Sequence, residues 1–440
     1  MRYESPMLAW IPSLIAAVWS LGPEVLVSWP GAAPTPDPVA VNAPASPPAP
    51  SGPTIRLGID VLVSERLDLL HGKKIGLVTH PAGVDSTWMP TVDRLVSLAK
   101  AHDFKVVQLY GPEHGIRGFM GPGEKQDGAV DPHTKIPVET LFGLGKRGRP
   151  SKASLARLDV VLVDLQDLGS RTYTYVSTLG EVMTAAKEAG KPVIVLDRPN
   201  PYGGLVYEGP VLPGHLKSFI GWGPFPVTHG MTIAEVARFY NEVVGIGCEL
   251  TIVPMKGWRR EMTWVDTGLL WVPTSPAIPD IESAWLYTAT GMIGGIAQNV
   301  SEGVGTTLPF EQLGAEFIDA VAFAKELESR KLPGVRFRAV TYRPASFKFK
   351  GKVLHGVHIA VTDPRAFRPI KVSLALMTAL EKLYPGQALY EEGGTIPRHW
   401  GTSRLLPMVQ AKKSADAIEA TWKTELEAFG EARSKVLLYD

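Results

Sequence analysis

The chain has 440 residues and one cysteine, Cys248, which excludes an intramolecular disulfide framework and a cysteine-ligated zinc cluster. Neither charge sign is in excess: 45 Lys and Arg face 44 Asp and Glu, so no bulk field draws the chain to nucleic acid or to an acidic membrane surface. Any charged partner must be recognised locally. There is no phosphate-cradling Gly-Lys-Ser/Thr loop, no His-Glu-x-x-His helix and no repeat of fixed period. The string from Gly143 to Gly148 matches a dinucleotide fingerprint in letters. However, Arg149-Pro150 follows it and the next apolar run starts near Val160, leaving no room for the helix that would receive a pyrophosphate. A nicotinamide or flavin cofactor is therefore not expected.

What is present is a globular composition, 45% hydrophobic and 20% charged, over a length that accommodates two domains. Residues 1–28 include an apolar run over 7–27 and read as a signal peptide or membrane anchor. Residues 29–54 form an Ala/Pro-rich linker with too little apolar surface to fold. The expectation is an exported protein, periplasmic or extracellular, with its N-terminal segment available as a membrane tether. The sequence leaves the oligomeric state open.

From Ile55 onward, short apolar runs alternate with helical patterns, as in βαβ units. Residues 74–79, 105–110, 160–165 and 192–197 read as strands apolar on both faces, which is the mark of a buried parallel sheet. One helix is expected over 179–189, with Thr178 and Glu181 in capping-box spacing, and another from Thr232, boxed by Glu235. The pattern loosens after Gly245 into Trp- and Pro-rich loops. The fold class is therefore α/β: a Rossmann-like, mainly parallel sheet domain over 55–245, with a second, smaller α+β domain over 246–440.

In open α/β sheets ligands bind outside the carboxyl ends of the strands, so polar clusters just after the strands are the first candidates. Four occur. They are Glu113, His114 and Arg117; Asp164, Gln166, Asp167 and Arg171 with Tyr173 and Tyr175; Asp197, Arg198 and Asn200; and His229 before the later helix. A further polar loop holds Asn299 and Glu302. Each has an ordinary alternative: strand-end aspartates cap helices, Arg171 and Arg198 pair with Asp167 and Asp197, and His229 is a satisfied core histidine. Taken together, the acids, amides and aromatics suit glycoside hydrolysis. That chemistry needs a carboxylic acid to protonate the leaving oxygen, a polar group on the opposite face, and groups that hold hydroxyls. Glu113, on a Gly/Pro-braced loop, suits the first role, with His114 and Arg117 placed to tune it and to meet an anionic substrate group. Glu302 is the candidate for the second.

At these residues the chain resembles the exo-β-N-acetylmuramidases, long known as a domain of unknown function. The resemblance rests on Pro112-Glu113-His114-Gly115, on Asp164 through Tyr175, on Asp197-Arg198-Pro199-Asn200-Pro201, on Glu208-Gly209-Pro210, on His229-Gly230-Met231-Thr232 and on Ser301-Glu302-Gly303, all in that order. It covers residues 55–440 and implies an active cleft between a Rossmann-like domain and a smaller C-terminal domain. The implied reaction releases terminal N-acetylmuramic acid from the non-reducing end of peptidoglycan fragments, in cell-wall recycling. Glu113 and Glu302 match the family's glutamates, Arg117, Arg171 or Arg198 is implied as partner of the lactyl carboxylate, and no metal and no organic cofactor are implied. The chain departs from the pattern at His80, Thr172, Ala277 and Val304, where the family shows Asn, an aromatic residue, Asn and Arg. Two other readings compete. One is a metal-assisted hydrolase using Asp164, Asp167, His114 and His229. The other is a peptidoglycan-binding protein without catalysis.

Overall fold

The computed structural model describes residues 55–118, 129–143, 146–391 and 394–440, all within one compact unit, Pro50–Asp440. The expected leader and linker lie outside the described residues. No described helix is long and apolar enough to cross a membrane.

The chain opens with helix α1 (Gly58–Glu65) and strand β1 (Lys74–Thr79). Helix α2 (Thr91–Ala99), β2 (Lys105–Gly111) and β3 (Val138–Thr140) follow. Next come a two-stranded hairpin, β4 (Phe142–Gly143) with β5 (Lys146–Arg147), the short α3 (Lys152–Leu155) and β6 (Val160–Asp164). Then α4 (Tyr175–Glu188), β7 (Val193–Leu196), α5 (Ile233–Arg238) and β8 (Leu250–Val253) complete a six-stranded sheet of order β3-β2-β1-β6-β7-β8. All its pairings are parallel. The rejected dinucleotide string therefore straddles the β4–β5 hairpin rather than a strand-to-helix turn.

The two-residue side-chain period assigns each strand to two cores. In β6, Val161 and Val163 join one cluster while Val160 and Leu162 join the other, beneath α1 and α2. The parallel sheet runs past residue 245, because β8 pairs with β7 from Val193↔Leu250 to Leu196↔Val253. Beyond it, α6 (Ile281–Gly294) leads to an antiparallel sheet of order β10-β11-β9, made of β9 (Gln312–Ala315), β10 (Val335–Tyr342) and β11 (Leu354–Val361). Helix α7 (Ala320–Ser329) packs on β10 and β11, and α8 (Pro369–Leu383) packs on α6 and α7. The core of this second half is continuous with one face of the parallel sheet: Val163, Val176 and Phe225 belong to the same cluster as Leu286, Phe323 and Leu376.

The helix starts follow different rules. Thr232 caps α5 as its spacing predicts, its hydroxyl accepting from Glu235 N while Glu235 returns a bond to Thr232 N. Helix α4, in contrast, begins four residues before 179, with Thr174 as N-cap and no side-chain cap, so Thr178 and Glu181 lie inside it. Burial of Tyr175 and Val176 in the core holds that added turn, an example of tertiary packing extending a helix beyond its local start signal.

Candidate active site

Strand β2 delivers Gly111 and Pro112 to the carboxyl edge of the sheet, where the chain turns sharply. His114 at φ 70° and Gly115 at φ 73° both take the left-handed conformation, and Gly115 N bonds back to Pro112 O at 3.1 Å. This turn sets the Glu113 side chain into a cavity of about 540 Å³. Thr174, the N-cap of α4, donates its hydroxyl to Glu113 Oε2 at 3.1 Å. The Tyr175 hydroxyl lies 2.8 Å from Thr274 O and 3.4 Å from the Glu113 carbonyl. Burial raises the Glu113 pKa above the ordinary glutamate value, and the Thr174 bond opposes the rise in part.

The opposite walls come from the second half of the chain. They are Ser275 to Ile278, Tyr287 of α6, the loop Val304 to Thr306, and Phe310 and Phe347. Tyr173 meets Tyr287 edge-on at 5.5 Å between ring centroids, and Tyr287 meets Phe310 at 5.0 Å, forming an aromatic wall. Three of the lining residues, His114, Phe310 and Phe347, are non-glycine residues at positive φ (70°, 65° and 61°). Strained backbone of this kind gathers at binding sites, where the surrounding packing enforces it.

The structure brings together only part of the set read from the sequence. Glu113, His114 and Tyr173 line the cavity, and Tyr175 lies behind it. Glu302 does not line it. Its carboxylate packs against α6, where a Cβ on Gly294 would fall 2.2 Å from Glu302 Oε2, and burial raises its pKa. Its backbone still shapes the wall, since Phe310 N donates to Glu302 O at 2.7 Å.

The three arginines proposed for an anionic substrate group are engaged elsewhere. Arg117 grips Asp93 at 2.8 Å and Asp131 at 2.9 Å. Arg171 is fully buried on the carbonyls of Pro210, Phe225 and His399, and desolvation lowers its pKa to about 9. Arg198 pairs with Asp164 at 2.8 Å, not with Asp197. Asp197 accepts from Thr232 Oγ1 and Ala234 N at the start of α5, each at 2.9 Å, and burial pushes it up to about 7. Asn200 accepts from Tyr202 N at 3.0 Å and donates to Met231 O at 3.0 Å. Asn299 ties its loop to Gln387 O and Leu389 N, each at 2.8 Å. Gln166 donates to Asp167 O and Pro199 O, and it sits outside the cavity.

The metal reading is corrected. Asp164 is neutralised by Arg198, and Asp167 accepts from Gly169 N at 2.7 Å and lies 3.3 Å from His229 Nε2. Met231 N donates to His229 Nδ1, which leaves the proton on Nε2, facing Asp167. Among the described residues no group of three or more His, Cys, Asp or Glu could hold a metal ion.

Several cavity residues carried no signal in the sequence. Tyr287, Phe310 and Phe347 come from a helix stripe and two loops, and only folding brings them beside Glu113; Thr174 lies within the motif from Asp164 through Tyr175 but has no role assigned there. Thr172, Ala277 and Val304 had a partial signal, as positions where the chain departs from the family pattern.

The chain was compared with known proteins. Two family descriptions match it: exo-beta-N-acetylmuramidase NamZ, N-terminal, over residues 75–282, and exo-beta-N-acetylmuramidase NamZ, C-terminal, over residues 285–439. It is 40% identical over 387 residues to the peptidoglycan beta-N-acetylmuramidase NamZ of Bacillus subtilis (strain 168), covering 88% of this chain and 92% of that protein. Two crystal structures of DUF1343 family proteins from Bacteroides fragilis NCTC 9343 share the fold. One has a TM-score of 0.81 at 34% identity and the other 0.71 at 28%, each match covering 88% of this chain and 99% of the other. With matches in register from β1 to the C-terminal helix, the chain belongs to the exo-beta-N-acetylmuramidase NamZ family.

Proposed function

We propose that the chain is an exo-acting glycoside hydrolase that removes terminal N-acetylmuramic acid from the non-reducing end of peptidoglycan fragments, with Glu113 as the general acid. One observation carries this reading: a desolvated carboxyl, its pKa raised, is held by Thr174 at the wall of an aromatic cavity formed by both halves of the chain. A glutamate whose pKa is raised holds its proton to higher pH than a solvated one and can protonate a departing glycosidic oxygen. The Bacillus subtilis relative, a peptidoglycan beta-N-acetylmuramidase, supports the substrate class. Because the Glu302 carboxylate packs on α6 outside the cavity lining, the far face of the sugar is served by water or by the substrate's own acetamido oxygen. Export to the periplasm or cell exterior, with the N-terminal segment as leader or tether, suits a substrate found in the wall.

The test measures free N-acetylmuramic acid released from a muramyl-headed disaccharide by the full chain and by Glu113→Gln at equal folded concentration. Removal of a general acid lowers turnover by about 100- to 10,000-fold. A variant within tenfold of the parent sinks the assignment of Glu113. Binding of the disaccharide without cleavage by either protein would favour a peptidoglycan-binding role.

A further inference from the structure

Residues 173–175 spend three consecutive hydroxyls on two different parts of the site. Thr174, in the middle, donates to Glu113 Oε2 at 3.1 Å. On either side of it, Tyr173 donates to Thr274 Oγ1 at 2.9 Å and Tyr175 to the Thr274 carbonyl at 2.8 Å. One short segment at the start of α4 thus holds both the acid and the residue that leads into the facing wall, Ser275 to Ile278.

The segment is itself held fast. Tyr175 is 1% exposed, with His80 edge-on at 4.8 Å between ring centroids and Tyr173 at 4.7 Å. His80 Nε2 accepts from Gln166 N at 2.9 Å, and burial keeps the imidazole in its neutral form. Its proton is therefore on Nδ1, which closes no full hydrogen bond; the backbone acceptor that acts on it is again the Thr274 carbonyl.

A tyrosine hydroxyl has one proton to give. The Tyr175 proton goes to Thr274 O, and the 3.4 Å approach to the Glu113 carbonyl sets the same oxygen against the backbone of the acid's own loop. A bond that served only to satisfy a buried carbonyl would need no fixed relation to Glu113. Here the donor oxygen touches the acid's loop and the preceding residue bonds the acid's carboxyl, so one rigid segment sets the distance from Glu113 to the wall.

We propose that Tyr173 and Tyr175 form a positioning clamp: through Thr274 they fix the gap between Glu113 and the Ser275–Ile278 wall, so that a pyranose resting on that wall presents its glycosidic oxygen to the acid. The inference rests on the reading of Glu113 as the general acid. Tyr175 lies behind the cavity and acts by geometry alone. A displacement of about 1 Å between reacting groups lowers turnover by about 100-fold, so a clamp on this gap bears directly on rate.

The experiment compares the full chain with Tyr175→Phe, which keeps the ring and removes the hydroxyl. Amide hydrogen exchange is followed by mass spectrometry in the peptide spanning residues 274–280, where Ile278 N donates to Ser275 O at 3.0 Å and reports on the shape of the wall. Exchange there is expected to rise about tenfold or more, with the peptide covering β6 unchanged. On the muramyl disaccharide, kcat per folded protein is expected to fall about tenfold or more with KM within about threefold of the parent. The basic limb of the pH profile stays in place, because the Thr174 bond to Glu113 is kept. A wall that exchanges as in the parent overturns the proposal, and so does a loosened wall with parental kcat. Should Tyr175→Phe fail to fold, Thr274→Val decides, since it removes the Tyr173 bond alone. Its wall is expected to exchange faster, with Thr274→Ser restoring the parental exchange; parental exchange in Thr274→Val overturns the clamp. If the parent releases no sugar, the proposed activity falls while the exchange of the wall still decides for or against the clamp.

Discussion

At the scale of single residues, the proton affinity of Glu113 reflects two opposed influences, burial that raises its pKa and a hydroxyl bond from Thr174 that lowers it. Thr174→Val removes the bond and keeps the shape, so Glu113 holds its proton to higher pH. The basic limb of the kcat/KM profile on the muramyl disaccharide is then expected to move to higher pH; a limb that stays in place or moves to lower pH contradicts the acid role. Arg117 behaves as a structural residue despite its proximity in sequence to Glu113. Arg117→Ala strands Asp131, whose carboxyl is held well below the usual range by Arg117 and Thr134. A loss of about 3 kcal/mol in denaturant unfolding is expected. If the variant instead unfolds like the parent and loses only substrate affinity, Arg117 is a binding residue after all. The sequence could rank Glu113 first because a rigid Gly/Pro loop after a strand is a local feature. It could not separate Arg117, Arg171 and Arg198 from the cavity, because their partners lie 14 to 228 residues away along the chain.

At the scale of elements, the buried strands were legible because continuous Val/Ile/Leu runs are hard to place anywhere but inside a parallel sheet. β8 escaped, since three of its four residues are only half-buried and a sheet-edge strand lacks that signature. The turn after β6 shows how tightly the edge loops fit. Gly169 sits at φ 77°, and a Cβ there would lie 2.4 Å from Asn200 Oδ1. Gly169→Ala therefore combines backbone strain with a clash against a bonded side chain, and it is expected to cost about 2 kcal/mol or more in thermal or denaturant unfolding. Near-parental stability would show that the Asn200 turn has room to give. Asn200, singled out as a substrate contact, is accounted for by its role in bracing this junction.

At the scale of the whole molecule, the two halves are joined by buried polar ties as well as by the shared core. Glu208 accepts from Ile370 N at the start of α8, 3.0 Å away, and burial pushes its pKa up to about 7. Asp197, beside the C-terminal Tyr439, is pushed to about 7 as well. Both carboxyls bind protons more tightly folded than unfolded. Their contribution to stability is therefore full below about pH 4 and is lost as pH rises to about 7. Glu208→Gln removes one of the two contributions, and its stability measured across that range should decline less steeply; an unchanged slope would show that Glu208 stays ionised in the fold. The C-terminal segment closes the same junction, through Leu438 N on Glu235 at 2.8 Å and the Tyr439 hydroxyl on Met255 N at 2.8 Å.

By itself the sequence determined the parallel sheet and singled out the Glu113 loop, because strand burial, capping and a rigid Gly/Pro turn are encoded within a few neighbouring residues. Tertiary structure alone decided which polar residues meet. It set Thr174 on Glu113, turned the Glu302 carboxylate onto α6, and closed Arg198 on Asp164 and His229 on Asp167. The physical reason is that a buried charge must find a partner wherever the packed chain offers one. The identity of that partner follows from how the two sheets come together, which no local pattern records.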